Sequence, residues 1–530
     1  MPTLLQDLLI WQASKTPHKP ALGYEGDYLT YEALTQRCRD ASSSLHALAL
    51  HKGQRVAVYL PKSPEAVVSY FSTCLTGGIF VPINWILKTQ QVQHILQDSG
   101  ASILITNKVR FSKLANLSQN TLRHVILIDG ETGTWGDINI WNWSDFLQLN
   151  TQNGINKSRQ THHSIDTDIA AIFYTSGSTG NAKGVVLSHR NLVQGAKSVA
   201  AYLPCKKDDK MLAVQPFSFD YGFSQLTIAF LTGASCYMLD FVFETDLFKV
   251  ITEQKITTLA LVPPLWIKLA NTPWPADMGK HIRYFCNTGG AMPGNVLATL
   301  RKNMPNAQPF LMYGLTEAFR SCYLPPKEID KRPGSFGKAI PNADICVINN
   351  HGEECQAFEE GELVHRGVLV SQGYWNDKQK TSERFKPAPH ALREVPMTEM
   401  AVWSGDIVKK DHDGFLYFVG RKDNMIKTSG YRVSPQEVEE VIYQLPEITA
   451  VIVFGLPHMT LGQVPMAVIT SHSADLSTDD IFRHCQQHLP NYMVPKKIIL
   501  SDFLPRNANG KFDLLYWQKK YQSLFIEQCL

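Results

Sequence analysis

The stretch Phe173–Leu192, FYTSGSTGNAKGVVLSHRNL, decides how the chain reads. An apolar run, IAAIFYT (169–175), leads into it with the pattern of a buried strand. Thr175, Ser176, Ser178 and Thr179 are then interleaved with Gly177 and Gly180, and Lys183 follows. The segment VVLSHRNLVQGA resumes as a strand and a helix. Glycines let backbone N–H groups close on an oligophosphate, while the hydroxyls and Lys183 add donors and charge. The spacing G-x-x-x-x-G-K-[ST] is absent, so this is not a Walker A loop. A plain surface turn has the same composition, and the loop takes its meaning from the rest of the chain.

Outward from it, short apolar runs alternate with helical patterns: RVAVYL (55–60), SILIT (102–106), HVILID (124–129), CYMLD (236–240) and TTLALVPP (257–264). That alternation predicts an α/β domain with largely buried sheets. Residues 130–168 are polar, hold three tryptophans and show no period, which predicts a surface excursion. After about residue 340 the texture becomes that of antiparallel strands: ADICVIN, GELVHRG, GFLYFVG. From about 424 a shorter α+β unit reads helix (436–444), strand (449–454), strand (464–471), helix (478–488) and strand (497–500). The expectation is a large domain over 1–420, a hinge at 421–423 and a small domain over 424–530.

With 530 residues, more than one domain is required. Lys+Arg 51 against Asp+Glu 48 argues against nucleic acid as a partner. The ten cysteines form no C-x-x-C pair, which fits reduced thiols and a cytoplasmic setting. No apolar run reaches the length of a transmembrane helix. The start, MPTLLQDLLIWQASK, reads as an amphipathic helix burying Leu4, Leu5, Leu8 and Leu9, not as a signal peptide.

Four further segments carry chemistry. In MYGLTEA (312–318), preceded by NTGGAMP (287–293), Thr316 and Glu317 suit a magnesium–phosphate contact, and Tyr313 offers a flat face to a base. The same residues also suit a helix cap. In WSGDIVKKDHDGFLYFVGRKDNMIKTSGYRVSP (403–435), Asp406 at the end of a strand can bind ribose hydroxyls, with Arg421 beside it; ordinary hairpin charges are the alternative. In LPRNANGKFD (504–513), Lys511 follows an Asn-Gly turn, on a tip from which a lysine can swing into a site.

Taken together, YTSGSTGNAKGV, YGLTE, SGD, GRKDNMIKTSGYRV and NGK resemble the motif set of the adenylate-forming superfamily, over nearly the whole chain. That superfamily comprises acyl-CoA synthetases, nonribosomal-peptide adenylation domains and firefly-luciferase-like enzymes. More narrowly, PFSFDYG (216–222), PPLW (263–266), GGAMP (289–293) and MYGLTEAFRS (312–321) resemble the AMP-forming ligases encoded with bacterial exosortase A systems. The resemblance implies a two-sheet N-terminal domain with a distorted β-barrel and a mobile C-terminal domain. It implies two half-reactions: a carboxylate attacks the α-phosphorus of ATP, and a phosphopantetheine thiol, on CoA or an acyl or peptidyl carrier protein, then displaces AMP.

By the same resemblance, Thr175, Ser176, Gly177, Ser178, Thr179, Gly180 and Lys183 hold the β- and γ-phosphates. Thr316 touches the α-phosphate and Glu317 holds Mg²⁺. Gly289, Gly290, Ala291, Tyr313 and Gly314 frame the adenine, and Asp406 and Arg421 bind ribose. Lys511 bridges carboxylate and α-phosphate, Asp423 is the hinge, and Gly430 lines the thiol tunnel. The acid pocket would be lined by Asp220, Tyr221, Ser224, Leu261, Cys286, Thr288, Met312, Arg320 and Ser321. Acyl- and aryl-CoA synthetases usually carry an aromatic–His pair where this chain has Phe219–Asp220, which resembles amino-acid adenylation domains. Asp220 either meets a substrate ammonium or pairs within the protein. Arg320 either points inward, toward a second anionic group, or pairs with protein.

Overall fold

The computed structural model describes residues 2–114, 121–152, 163–175, 182–392, 394–422, 424–428, 431–458, 461–473, 475–507 and 510–525. Among them the strands form three sheets. The first contains eight strands. Its centre is the parallel set Arg55–Tyr59, Ile79–Pro82, Ile103–Thr106 and His124–Leu127, and its edge is the antiparallel pair Ile169–Thr175 and Lys183–Ser188. The second contains fourteen. Lys210–Ala213, Thr258–Leu261, Tyr284–Asn287 and Gln308–Tyr313 run parallel at its heart. Cys322–Leu324 and Ser335–Ala339 then carry it into the antiparallel strands Leu416–Arg421, Met400–Lys410, Glu360–Gly367 and Ala343–Ile348. The strands beyond residue 340 are antiparallel as predicted, but the change from parallel pairing already comes at Cys322–Leu324.

Helices Leu5–Lys15, Tyr31–Ala47, Pro64–Leu75, His189–Tyr202 and Asp220–Thr232 bring Leu5, Leu8, Leu34, Phe71, Leu192, Phe223 and Phe230 into the largest core. Of the leucines predicted to form the first helix's stripe, Leu5, Leu8 and Leu9 are buried and Leu4 is half-buried. The small C-terminal domain follows the predicted order: helix Pro435–Ile442, strands Ile448–His458 and Gly462–Ser471, helix Thr478–His488, strand Lys497–Leu500. These strands belong to the five-stranded third sheet, and the two helices bury Val438, Ile442, Ile481 and Cys485 against it.

One expectation is corrected. Within 130–168, strands Gly133–Trp135 and Ile138–Asn142 extend the first sheet, and helix Trp143–Gln152 buries Phe146 completely. This segment shows no period because its strands lie at a half-exposed edge and its helix covers only a small part of the core.

Among the described residues no helix is long and apolar enough to cross a membrane, and no three His, Cys, Asp or Glu side chains gather as a metal cluster.

Candidate active site

The opening loop joins two neighbouring strands. Its strands pair antiparallel with Thr175 opposite Lys183, so the two ends of the turn are fixed side by side. Ser188 caps the next helix through the reciprocal pair with Asn191, whose N–H reaches Ser188 Oγ at 3.1 Å. Residues Ser176, Gly177, Ser178, Thr179 and Gly180 lie outside the described residues, as do Asp423 and Gly430.

Residues 372–375 run along the hairpin's other strand. Gln372 N donates to Val186 O (2.9 Å), Val186 N to Gly373 O (3.0 Å) and Trp375 N to Gly184 O (2.7 Å). This brings the Tyr374 ring under Lys183, whose ammonium stands 5.5 Å from the ring centroid. The Tyr374 hydroxyl donates to Glu317 Oε1 at 2.6 Å. Burial and the nearby Lys380 lower the pKa of Lys183, with Glu317 pulling the other way. Tyr374 was not legible in sequence: its contact with Glu317 spans 57 positions and no motif marks it.

Two parallel strands of the second sheet end in two of the other predicted segments, the usual place for a ligand crevice in such sheets. Tyr284–Asn287 runs out into Thr288, Gly289, Gly290 and Ala291. Gly289 takes φ +81°, a left-handed conformation that glycine accepts without strain, and Asn287 Nδ2 ties the turn by donating to Gly290 O at 2.9 Å. Thr288 Oγ1 is buried with no hydrogen-bond partner among the described residues.

Gln308–Tyr313 runs out into Gly314 and the single 3₁₀ turn Thr316–Ala318, not the helix a cap would need. Thr316 Oγ1 instead donates to Asp220 Oδ1 at 3.2 Å. The Tyr313 hydroxyl donates to Asp406, and its ring lies 4.7 Å from that of Phe336. Asp406 sits inside strand Met400–Lys410, not at its end, in register with Arg421, whose Nη1 lies 3.4 Å from Asp406 Oδ1.

Lys511 arrives from the small domain. Asn507 orders its turn, with Lys511 N donating to Asn507 Oδ1 (3.1 Å) and Gly510 N to Asn507 O (2.9 Å). Arg506 Nη2 donates to Pro264 O at 2.8 Å and ties the tip to the large domain. A Cβ built on Gly289 would lie 3.2 Å from Lys511 Cε and 3.8 Å from Nζ, so Gly289 leaves room for this side chain. Burial lowers the Lys511 pKa, while Asp220, Asp406 and Glu317 oppose that shift.

Asp220 opens helix Asp220–Thr232 and is buried. Burial raises its pKa, offset chiefly by Arg320 and then by the Thr316 hydroxyl. Tyr221, Ser224, Cys286, Met312 and Arg320 line one cavity beneath this helix. Thr288 is in the turn above, and Ser321 bonds His365 Nδ1 at 2.8 Å instead of facing the cavity. Leu261 is corrected: Thr258 and Ala260 are the cavity-facing residues of that strand, whereas Leu261 packs into the second core with Leu212 and Leu259.

The residues present fit a nucleotide triphosphate with a divalent cation. Two lysines, a carboxylate and a hydroxyl converge at the strand ends, and Thr288 contributes an unpaired buried hydroxyl.

Residues 9–375 match the AMP-binding enzyme family and residues 437–511 its C-terminal domain. The chain is similar to a long-chain-fatty-acid–CoA ligase of Bacillus subtilis (27% identical, covering 96% of this chain and 92% of that one). It is also similar to tyrocidine synthase 3 of Brevibacillus parabrevis (28% identical, covering 96% of this chain and 8% of that much longer one). Its fold matches the crystal structure of ATP-bound MatB from Rhodopseudomonas palustris, with a TM-score of 0.86 at 24% identity over 99% of this chain and 100% of that one. With the family match spanning well over half its length, and lysine, carboxylate and glycine turn gathered where the parallel strands end, the chain belongs to the AMP-binding enzyme family.

Proposed function

We propose that the protein is an ATP-dependent, AMP-forming acid–thiol ligase that makes an acyl-adenylate and pyrophosphate, then passes the acyl group to the phosphopantetheine thiol of CoA. The observation that carries this reading is Lys511. A cation on the tip of the small domain reaches the glycine turn of the large one, among Asp220, Asp406 and Glu317.

In this reading Lys511 aligns the attacking carboxylate with the α-phosphate and neutralises charge that builds there, which is most of what phosphoryl transfer asks of a protein. Thr316 touches the α-phosphate; Lys183, with Thr175 and the hairpin turn, holds the outer phosphates. Gly289, Gly290, Ala291, Tyr313 and Gly314 frame the base, and Asp406 and Arg421 take the ribose. Glu317, oriented by Tyr374, would hold Mg²⁺. Bound Mg²⁺ supplies charge neutralisation to the triphosphate.

We further read 1–420 as the large domain, 421–423 as a hinge about Asp423, and 424–530 as a small domain whose rotation withdraws Lys511 and brings Gly430 to a thiol tunnel. The motifs PFSFDYG, PPLW, GGAMP and MYGLTEAFRS favour the ligases of exosortase A systems, and a cytoplasmic setting accords with that reading. A second reading, favoured by the buried Asp220, is activation of an amino acid and its loading onto a carrier protein.

The test is pyrophosphate exchange with ATP and Mg²⁺ across fatty, aryl, dicarboxylic and amino acids, followed by CoA and a phosphopantetheinylated carrier as acceptors. Exchange with one of these acids, abolished in Lys511→Ala, is expected. Failure of every acid to drive exchange sinks the proposal.

A further inference from the structure

We propose that the cavity beneath helix Asp220–Thr232 is a subsite for a second anionic group at the far end of the acid, and that Arg320 reads it. This rests on the ligase reading and adds the substrate's class: a short acid with one carboxylate to be activated and another to be recognised.

Arg320 is 2% exposed and is the one charged side chain lining the cavity. Its Nη2 donates to Ser224 Oγ at 3.3 Å, a long contact, and its Nε is buried with no partner among the described residues. No carboxylate among the described residues forms an ion pair with it. Asp220 is near enough for the two charges to be felt, yet the two do not pair directly: Asp220 Oδ1 accepts from Thr316 while Arg320 Nη2 turns to Ser224. The guanidinium is instead flanked by rings, 4.8 Å from the centroid of Tyr221 and 5.6 Å from that of Phe319. Cation–π contact returns a modest part of what desolvating the guanidinium costs. Burying a charge without a directly paired counter-ion costs more than such contacts return, and the field of Asp220 offsets part of that cost. The balance is unfavourable until an anion arrives, and a carboxylate can take two guanidinium N–H groups at once.

The chain also accepts strain to put Arg320 there. Phe319 has φ +56° and ψ −60°, and Arg320 N donates to Ala318 O at 2.6 Å. This is a three-residue turn of the rare positive-φ form, centred on a bulky residue. Such a conformation costs about 1–3 kcal/mol and survives where the surroundings enforce it. Here they do: the Phe319 ring is fully buried against Gly195, where an added Cβ would lie only 2.4 Å from it.

The cavity's size selects a compact end group. Its volume is about 10 Å³, room for one water molecule, and Val199, Leu203 and Ile228 close it. A planar carboxylate suits that cation and needs only a small outward shift of the lining side chains to enter; a long alkyl chain suits neither the cation nor so small a space.

The test uses the full-length protein, ATP, Mg²⁺ and linear dicarboxylic acids of increasing length. Each acid is compared with its half-amide and with its methyl-ended monocarboxylic counterpart, by pyrophosphate release. At the best length the diacid should exceed both counterparts by about 10²-fold in kcat/KM, because either counterpart leaves the cation unpaired. Arg320→Gln should reverse the order of diacid and half-amide. Because that ratio is taken within one enzyme preparation, partial unfolding cannot mimic it. Arg320→Lys, which keeps charge but loses the fork, should fall between. Equal use of diacid and half-amide by the wild type at every length, or an unchanged ratio in Arg320→Gln, overturns the proposal while leaving the ligase reading intact. If no acid of any class releases pyrophosphate, the ligase reading itself has failed and the subsite falls with it.

Discussion

The two ends of the site are built on opposite plans. At the nucleotide end the charged side chains already hold one another. Arg421 meets Asp406, Tyr313 donates to the same carboxylate, and Tyr374 donates to Glu317. At the acid end Arg320 is buried with one long hydrogen bond and no ion-pair partner among the described residues. The first end is arranged in advance, so a ligand meets groups whose orientation is already fixed. The second leaves a cation short of a counter-charge, so a ligand is selected by what it brings. Affinity common to all substrates can come from the first plan; discrimination between acids comes from the second.

The largest expected effect breaks the comparison at the point where the ends meet. Lys511→Ala should lower the rate of adenylate formation by about 10²–10³-fold, measured by pyrophosphate exchange, with ATP affinity changing far less. Retained exchange would show that the small domain's cation has no part in the first half-reaction.

Next is Gly195→Ala. Its Cβ would lie 2.4 Å from the Phe319 ring, so the variant should lose about 1–3 kcal/mol of stability by chemical denaturation. Because Phe319 forces the turn before Arg320, discrimination among acids should fall along with stability while nucleotide affinity holds. An equal loss at both ends would mean that they are not independent.

Tyr374→Phe probes the pre-arranged end alone. Losing the hydroxyl that orients Glu317 should raise the Mg²⁺ concentration for half-maximal activity by about tenfold, without altering which acid is preferred.

The smallest effect is a shift in a pH profile. Lys511 must be protonated to act, and burial holds its pKa below the ordinary lysine value of 10.5. The charged form therefore persists at low pH and is lost as pH rises through that lowered pKa. The alkaline limb of adenylation should fall earlier than for an exposed lysine, and Lys511→Arg should move it upward in whatever activity it retains. An alkaline limb that Lys511→Arg leaves in place would assign it to another group.

Much of this was legible in sequence because it is local. The two strands and the helix around Lys183 and the order of elements in the small domain follow from hydrophobic period and turn chemistry in short windows. Five of the nine residues expected to line the acid pocket do line one cavity, brought together by a helix, two strand ends and the turn at Phe319. What escaped is set by distant partners or by rare backbone. Leu261 and Ala260 cannot be told apart within TLAL, because both faces of a buried parallel strand are apolar. The turn at Phe319 carries no glycine or asparagine to announce it. Tyr374 belongs to a segment that reads as loop and gains its place only by pairing with a strand nearly 190 positions earlier, its isolated bridge being to Val185.

That pairing has a mechanical outcome. The backbone from Gln372 to Trp375 grips the hairpin on one side, and the hydroxyl in its middle grips Glu317 on the other. On the proposed reading, a pull on the strands flanking the opening loop is also a pull on the carboxylate that would hold the metal ion. Seating the triphosphate and seating its cation would then be one motion, transmitted through a strip four residues long.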